Sequence, residues 1–545
     1  MSATTIYRNA VVFTGPADRE PVDSFAVAGD RIIAAGSIEA VREAAPDAPE
    51  INLAGAFVTP GIIEGHAHML MLGEALGKVQ LRDADSVAEV QRRLAAARAA
   101  NPDAAMLTGV SWRFDIFGEG ERPTAAMLDA VVADVPVVLD ANDLHSVWVN
   151  TAALAAMGIT RDTPDPVGGE IVRDADGNAT GFLLETAAVK YAWGYLETMA
   201  TDEDRDGFLA NAFSAYLETG VTGATEMSFG HADLATYRRV LDRDGRLPFP
   251  VNAHWLLTAS GDLNTDLAEI AEVARIRDEI AAQYGDTWLR IAGVKFILDG
   301  VIDACTAAMR GPYANGAMPG PIWEREFALP VAVAADAAGL QFALHAIGDE
   351  ASTIALDMVA EAERVNGPRP ERRARVEHLE SVADDTIARM AELGVTASMQ
   401  PVHCDPAVLD NWQAVLGDER ALTGFPWHKF REAGVRLALG TDAPTAPHEA
   451  ADNLFIALTA QSVLERDRAP YQPQRVFTPP QALEAFTVGT AYATGRDHEL
   501  GRIAAGYRAN FVVWAANPLV EAPELLLGAS AVLTVVDGQV APTGA

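Results

Sequence analysis

VTPGIIEGHAHML, residues Val58 to Leu70, sets two histidines one residue apart, His66 and His68, behind a Pro-Gly turn and an apolar run. If the run is a β-strand, alternation sends both rings to one face and Ala67 to the other. Two neutral imidazoles side by side are a ready pair of metal ligands. An isolated His-x-His is also common as two polar residues in a turn. What decides the fold is whether further strands of this kind, closed by further ligands, follow downstream.

They do. Apolar strand-like runs recur at VTGATEMSF, PFPVNAHWLL, RIAGVKFIL, LQFALHAIG, ARVEHLE, VTASMQP and VRLALGTDAP, most separated by helical segments such as DLAEIAEVARIRDEIAAQY. With AFVTPGIIEGHAH at the front they make eight buried-type strands. Near-continuous apolar strands alternating with amphipathic helices indicate a parallel sheet, and eight of them an α/β fold of the (β/α)8 TIM-barrel type. The two ends of the chain read differently, as short β-branched runs broken by Gly and Asp turns. They predict a composite β-sandwich built from residues 1–57 and 497–545, around a barrel spanning 58–496. Between the first and second barrel strands, residues 70–206 are far too long for one helix. Their strand-like pieces, including the Asp-Gly hairpin pattern GGEIVRDADGNATGFLLE, predict an inserted subdomain over the barrel mouth.

In a barrel of this type the polar residues at strand C-termini carry the chemistry. Here they are His66 and His68 on the first strand, Lys295 on the fourth, His345 on the fifth, His378 on the sixth and Asp442 on the eighth. Singly, each has a plain reading: a hydrogen-bonded core histidine, a structural ion-pair lysine, a turn-forming aspartate. Gathered at one barrel mouth, four histidines and an aspartate are suitable ligands for zinc or a similar divalent ion.

Composition sets the outer bounds. Of 545 residues, 49% are hydrophobic and 21% charged, which fits a globular protein with a sizeable core. The formal net charge of −35 argues against nucleic acid and anionic membrane surfaces as partners. No apolar run is long enough for a transmembrane helix, the start MSATTIYRNAVVFTG lacks the pattern of a signal peptide, and two cysteines, Cys305 and Cys404, give no disulfide framework. The expectation is a cytoplasmic enzyme with a small-molecule partner; a homo-oligomer is left open.

The motifs RNAVVFTG, VTPGIIEGHAH, HSVWVNTAAL, GVKFILDG, TAAMRGPYANG, HAIGDEA, RVEHLE, SMQPVH and GTDAP follow one another across nearly the whole chain. In this order they resemble the amidohydrolase superfamily, and within it the amidohydrolase-3 branch that includes N-substituted formamide deformylase-like enzymes. The resemblance implies a metal-dependent hydrolase of a non-peptide C–N bond, with Lys295 carboxylated on its amine and bridging two zinc ions. His66, His68 and Asp442 then hold one ion, His345 and His378 the other. A one-metal site with an uncarboxylated lysine is the competing arrangement. A divalent ion lowers the pKa of water to roughly 7 and polarises the scissile carbonyl. Asp442 is positioned by this reading to take the water's proton and pass it to the leaving nitrogen.

Other residues have two readings each. His403 on the seventh strand is either a substrate contact or structural. His145, in HSVWVN, falls near the pocket by resemblance. Trp112, Phe114, Trp148 and Trp427 are candidates for an apolar substrate wall or plain core. Glu64 stands where relatives often carry Asp. DGVIDACTA departs from the commoner DGSLGSRTA-like run at Asp303, Ala304 and Cys305, which points to altered substrate selection. A lyase, decarboxylase or isomerase with the same metal set, and a non-catalytic scaffold, are the alternative functions.

Overall fold

The computed structural model describes residues 4–118 and 121–542. Its centre is a parallel barrel sheet of eight strands: β1 (Ile62–Ala67), β2 (Val221–Phe229), β3 (Val251–Leu257), β4 (Leu289–Ile297), β5 (Gln341–Ala346), β6 (Arg375–His378), β7 (Thr396–Met399) and β8 (Leu437–Leu439). Each pairs with the next in sequence, so the sheet order is the chain order. These are the eight runs that the sequence singles out. Helices cover the outside, among them His231–Asp244, Leu263–Tyr284, Arg325–Ala337 and Asp349–Asn366. Their apolar faces and the strands share one large core that includes Val294, Phe296, Leu344, Val376 and Leu439.

The barrel closes between β8 and β1 by side-chain chemistry. The Glu64 carboxylate accepts from the His66 amide at 2.9 Å, the Thr441 amide at 2.7 Å and Thr441 Oγ1 at 2.9 Å. One backbone bond completes the seam, from the Asp442 amide to the His66 carbonyl at 2.8 Å. Two glycines let the strands approach. A Cβ on Gly65 would run into the Leu439 carbonyl, and one on Gly440 would lie 2.5 Å from the His66 nitrogen. The residue beside the His-x-His pair is thus a closure device.

Both termini contribute to one eight-stranded sheet, in which Phe511–Trp514 pairs with Phe57–Pro60 and the latter with Thr4–Val12. The sheet is rolled. Phe511 and Phe25 stand three strands apart, about 14 Å in a flat sheet, yet their ring centroids are 4.9 Å apart, with Tyr7 5.0 Å from each. The Ile32 amide donates to Tyr507 and the Gly506 amide to Ile32, tying one edge back to the other half. The ends of the chain combine in a single rolled sheet rather than in the two layers of a sandwich. Phe57–Pro60 belongs to it, so the chain crosses into the barrel at Gly61 and not at Val58.

Between β1 and β2 lies a six-stranded sheet running from Gly169–Arg173 at one edge to Val79–Gln80 at the other. Gly169–Arg173 and Ala179–Glu185 pair antiparallel across the Asp-Gly turn. This insert has apolar clusters of its own, one around Trp112, Trp148 and Phe182 and one around Val147, Ile171 and Leu183. Among the described residues no helix is long and apolar enough to cross a membrane.

Candidate active site

The six strand-end residues converge. His66 closes β1, and His68 follows it, just before the helix Met69–Ala75. Their ring centroids are 5.4 Å apart; those of His66 and His378 are 4.8 Å apart, and those of His345 and His378 4.5 Å. Lys295 Nζ lies 3.2 Å from His66 Nε2. Asp442 reaches between strands: its Oδ1 is 2.8 Å from His68 Nε2 and 3.4 Å from His66 Nε2, and its Oδ2 is 3.8 Å from His378 Nδ1. Ligand atoms of His66, His378 and Asp442 all lie within 4.8 Å of one another. This trio cuts across the two ligand groups that the resemblance implies, because Asp442 sits between them.

The backbone is bent to make this possible. His378 and Asp442 have φ of +72° and +60°, in the left-handed region. Such residues cost of order 1–3 kcal/mol each and persist where surrounding structure holds them. Here the bend turns the last side chain of β6, and the one just past β8, into the mouth.

Further groups fix the ring orientations. His66 Nδ1 meets Glu377 Oε2 at 2.8 Å, and Arg375 clamps that carboxylate at 2.6 Å while donating to the Gly65 carbonyl and Ser398 Oγ. A donor role for Nδ1 leaves His66 Nε2 free toward the centre. His378 Nδ1 meets Gln400 Oε1 at 3.0 Å. His145, from the insert, pairs its Nδ1 with Glu185 Oε2 at 2.6 Å, and its ring lies 5.5 Å from that of His345. His403 sits in the turn after β7, its Nδ1 3.1 Å from Glu380 and its Nε2 3.6 Å from Asp442 Oδ2.

Burial, with Lys295 or neighbouring histidines adding to it, holds His66, His345 and His378 well below the ordinary imidazole pKa, so their lone pairs are free. Burial also depresses Lys295 to about 8, although Glu377 and Asp442 pull the other way. No carboxylate of the described residues lies within ion-pair distance of its amine, so Lys295 is not the structural ion-pair lysine of the plain reading. Burial pushes the Asp442 carboxyl up, but the hydrogen bond from His68 opposes it, and the group lies below the usual carboxylate range. His145 goes upward, to about 9, because Glu185 overcomes the effect of burial.

The donor set suits a divalent ion. His68 Nδ1 is buried without a hydrogen-bond partner, and His345 Nδ1 faces Asp299 Oδ1 at 3.2 Å. The buried ligand atoms of His66, His378 and Asp442, gathered this closely, are a donor set that a cation would complete.

The cluster opens into a cavity of about 280 Å³. His66, His68, Lys295, His345, His378, Asp442, His403 and His145 all line it. Trp112 and Trp148 do not, and their expected role as substrate wall is corrected. Both are fully buried in the insert's own core, donating to the Leu139 and Thr124 carbonyls at 2.9 and 2.8 Å, with rings 6.0 Å apart. A sheet this small uses its largest rings to fill itself. Trp427 is likewise core, stacked on Phe477, and Phe114 packs against the insert core. The aromatic wall is instead Trp193 and Trp412, with Arg82 and Asp143 beside it. Nothing in their local sequence marks them, since they come from two separate helices, Ala188–Trp193 and Asp410–Leu416, that only tertiary packing brings together. Asp303 lines the cavity, whereas Cys305 does not.

A model described as the amidohydrolase family matches residues 49–542. Protein LONG AFTER FAR-RED 3 of Arabidopsis thaliana is 30% identical over 94% of this chain and 88% of its own length. N-substituted formamide deformylase of Arthrobacter pascens is 28% identical over 97% of this chain and 96% of its own. Among solved structures, an uncharacterized metal-dependent hydrolase from Pyrococcus furiosus superposes with a TM-score of 0.71 at 26% identity, covering 95% of this chain and all of that one.

Proposed function

The chain belongs to the amidohydrolase family, and from that premise we propose that it hydrolyses a non-peptide C–N bond in a small amide-like molecule, with N-substituted formamides as first candidates. The observation that carries this reading is the geometry of the barrel mouth, where buried imidazoles gather around Asp442 and the ligand atoms of His66, His378 and Asp442 lie within 4.8 Å of one another. His66, His68 and Asp442 would hold one divalent ion, His345 and His378 a second, and Lys295, carboxylated, would stand between; zinc suits these donors. When bound, such ions supply Lewis acidity, lowering the pKa of water to about 7 and polarising the substrate carbonyl.

The chain's own residues do the rest. Asp442 is the proton carrier, accepting at its carboxylate from the attacking water and returning the proton to the leaving nitrogen. His145, held cationic by Glu185, presents a donor from the insert side, and His403 a second ring from the β7 side. Trp193 and Trp412 give the substrate an apolar wall, and the insert limits access of bulk water.

The test is a panel of formamides, carboxamides, ureas and lactams, with released amine and carboxylic acid measured. Amine release that depends on added divalent metal is the expected result. Carbon dioxide release or isomerisation without C–N cleavage would move the protein to the lyase or isomerase reading.

A further inference from the structure

Arg82 is a cation without an acid. It lies in the insert between the strand Val79–Gln80 and the helix Val87–Ala100, and its side chain lines the same cavity as Lys295 and Asp442. Its Nη2 donates to the carbonyls of Pro444, at 3.4 Å, and Thr445. These are the second and third residues after Asp442, so the tie holds the guanidinium beside the proton carrier. Among the described residues no carboxylate comes within ion-pair distance of it, and its Nε and Nη1 make no protein hydrogen bond. Burial lowers its pKa to about 10, with Asp405 opposing, which leaves it charged at neutral pH.

The other ionisable groups of the cavity have partners within the protein, Asp143 and Asp303 only neutral ones. Asp143 accepts from the His145 amide at 2.9 Å and from Ser146 Oγ at 3.2 Å, Asp303 from Asn411 Nδ2 at 3.2 Å. Glu380 meets His403, Asp442 meets His68, and His145 meets Glu185. Lys295 belongs to the ligand cluster. A half-buried cation left unpaired is costly, and a guanidinium whose Nη1 is free can donate a charge-assisted hydrogen bond to a carboxylate oxygen.

We propose that Arg82 recognises a carboxylate on the substrate, so that the bond cleaved here belongs to an N-formyl or N-acyl amino carboxylic acid. This rests on the hydrolase reading above and narrows it. The net charge of −35 does not oppose it, because exposed charges are screened beyond about 8 Å at physiological ionic strength. Selection acts at contact range inside the cavity.

The experiment compares matched pairs, N-formyl amino acids and their methyl esters, on the full-length metal-loaded enzyme. Wild type should favour the acid in kcat/KM by about 10–100-fold, the scale of a charge-assisted contact. In Arg82→Gln the acid-to-ester ratio should fall to about 1, chiefly through KM for the acid, and Arg82→Lys should restore part of it. Partial misfolding lowers both members equally and drops out of the ratio. A wild-type ratio at or below 1 overturns the proposal. So does an Arg82→Gln variant that loses acid and ester activity by the same factor, which makes Arg82 an anchor for the segment after β8. Hydrolysis of neutral formamides alone removes the role of Arg82 and leaves the hydrolase reading standing; no C–N cleavage in any compound removes both.

Discussion

The proposed reaction puts two demands on the one carboxylate of Asp442, to ligate and to carry a proton. Its Oδ1 faces His68 and its Oδ2 faces His378 and His403, so the two oxygens have different neighbours. Asp442→Asn keeps the size and one ligating oxygen but has no basic carboxylate. We expect kcat to fall by about 10²–10⁴-fold, the scale of a lost general base, with most metal retained. Measuring kcat and bound metal on one preparation decides it; recovery to near the wild-type rate on adding zinc would make Asp442 a ligand only. At this scale the sequence is most readable where an apolar run stops on a polar residue, as with His345 and His378. One such residue has a structural reading, and the recurrence at successive strand ends is what marks a site. Trp112 and Trp148 show the limit, because a tryptophan in a short strand reads the same whether it faces a cavity or a core. Arg82 is invisible for another reason: its meaning lies in the absence of a partner, which no local pattern encodes.

At the scale of elements, the seam between β8 and β1 deserves its own test, since the two strands carrying Asp442 and His66 meet there. Glu64→Ala leaves the His66 and Thr441 amides without acceptors, at about 1–3 kcal/mol each. The thermal midpoint of the metal-free protein should drop accordingly, while Glu64→Gln, which still offers one oxygen, should drop less. Equal midpoints for wild type and Glu64→Ala would mean that the ladder bonds elsewhere in the barrel close it unaided. The eight strands are legible because both of their faces are buried, giving continuous apolar runs. The rolled sheet of the termini is less so: short strands alternate whether they form one sheet or two, and only long-range contacts such as Phe25 on Phe511 separate the cases. On the proposed reading, substrate selection belongs to the insert and the loops. Trp193→Ala should change the order of preferred substrates at unchanged metal content, and loss of metal instead would tie the insert to the ligand cluster.

For the whole molecule, the decisive feature is that the proposed ligands come from five strands spread from β1 to β8, while the insert has apolar cores separate from the barrel's. An ion bound at the mouth therefore joins distant parts of the barrel without touching what holds the insert together. By mass action an ion present at about 1,000 times its dissociation constant stabilises the folded barrel by about 4 kcal/mol. Calorimetry of the loaded and chelated protein should then show two transitions. The barrel's should move down on chelation and recover with zinc, and the insert's should stay in place. Elemental analysis of the loaded form should give two ions per chain; at most one in fully active protein would favour the arrangement with an uncarboxylated Lys295. A single transition that shifts as a unit would show that the polar contacts around the cavity, Arg82 on Thr445 and Thr306 on Glu185, couple the two bodies more tightly than their separate cores suggest. The insert would then report metal binding directly, and its closure over the cavity would depend on the ions beneath it.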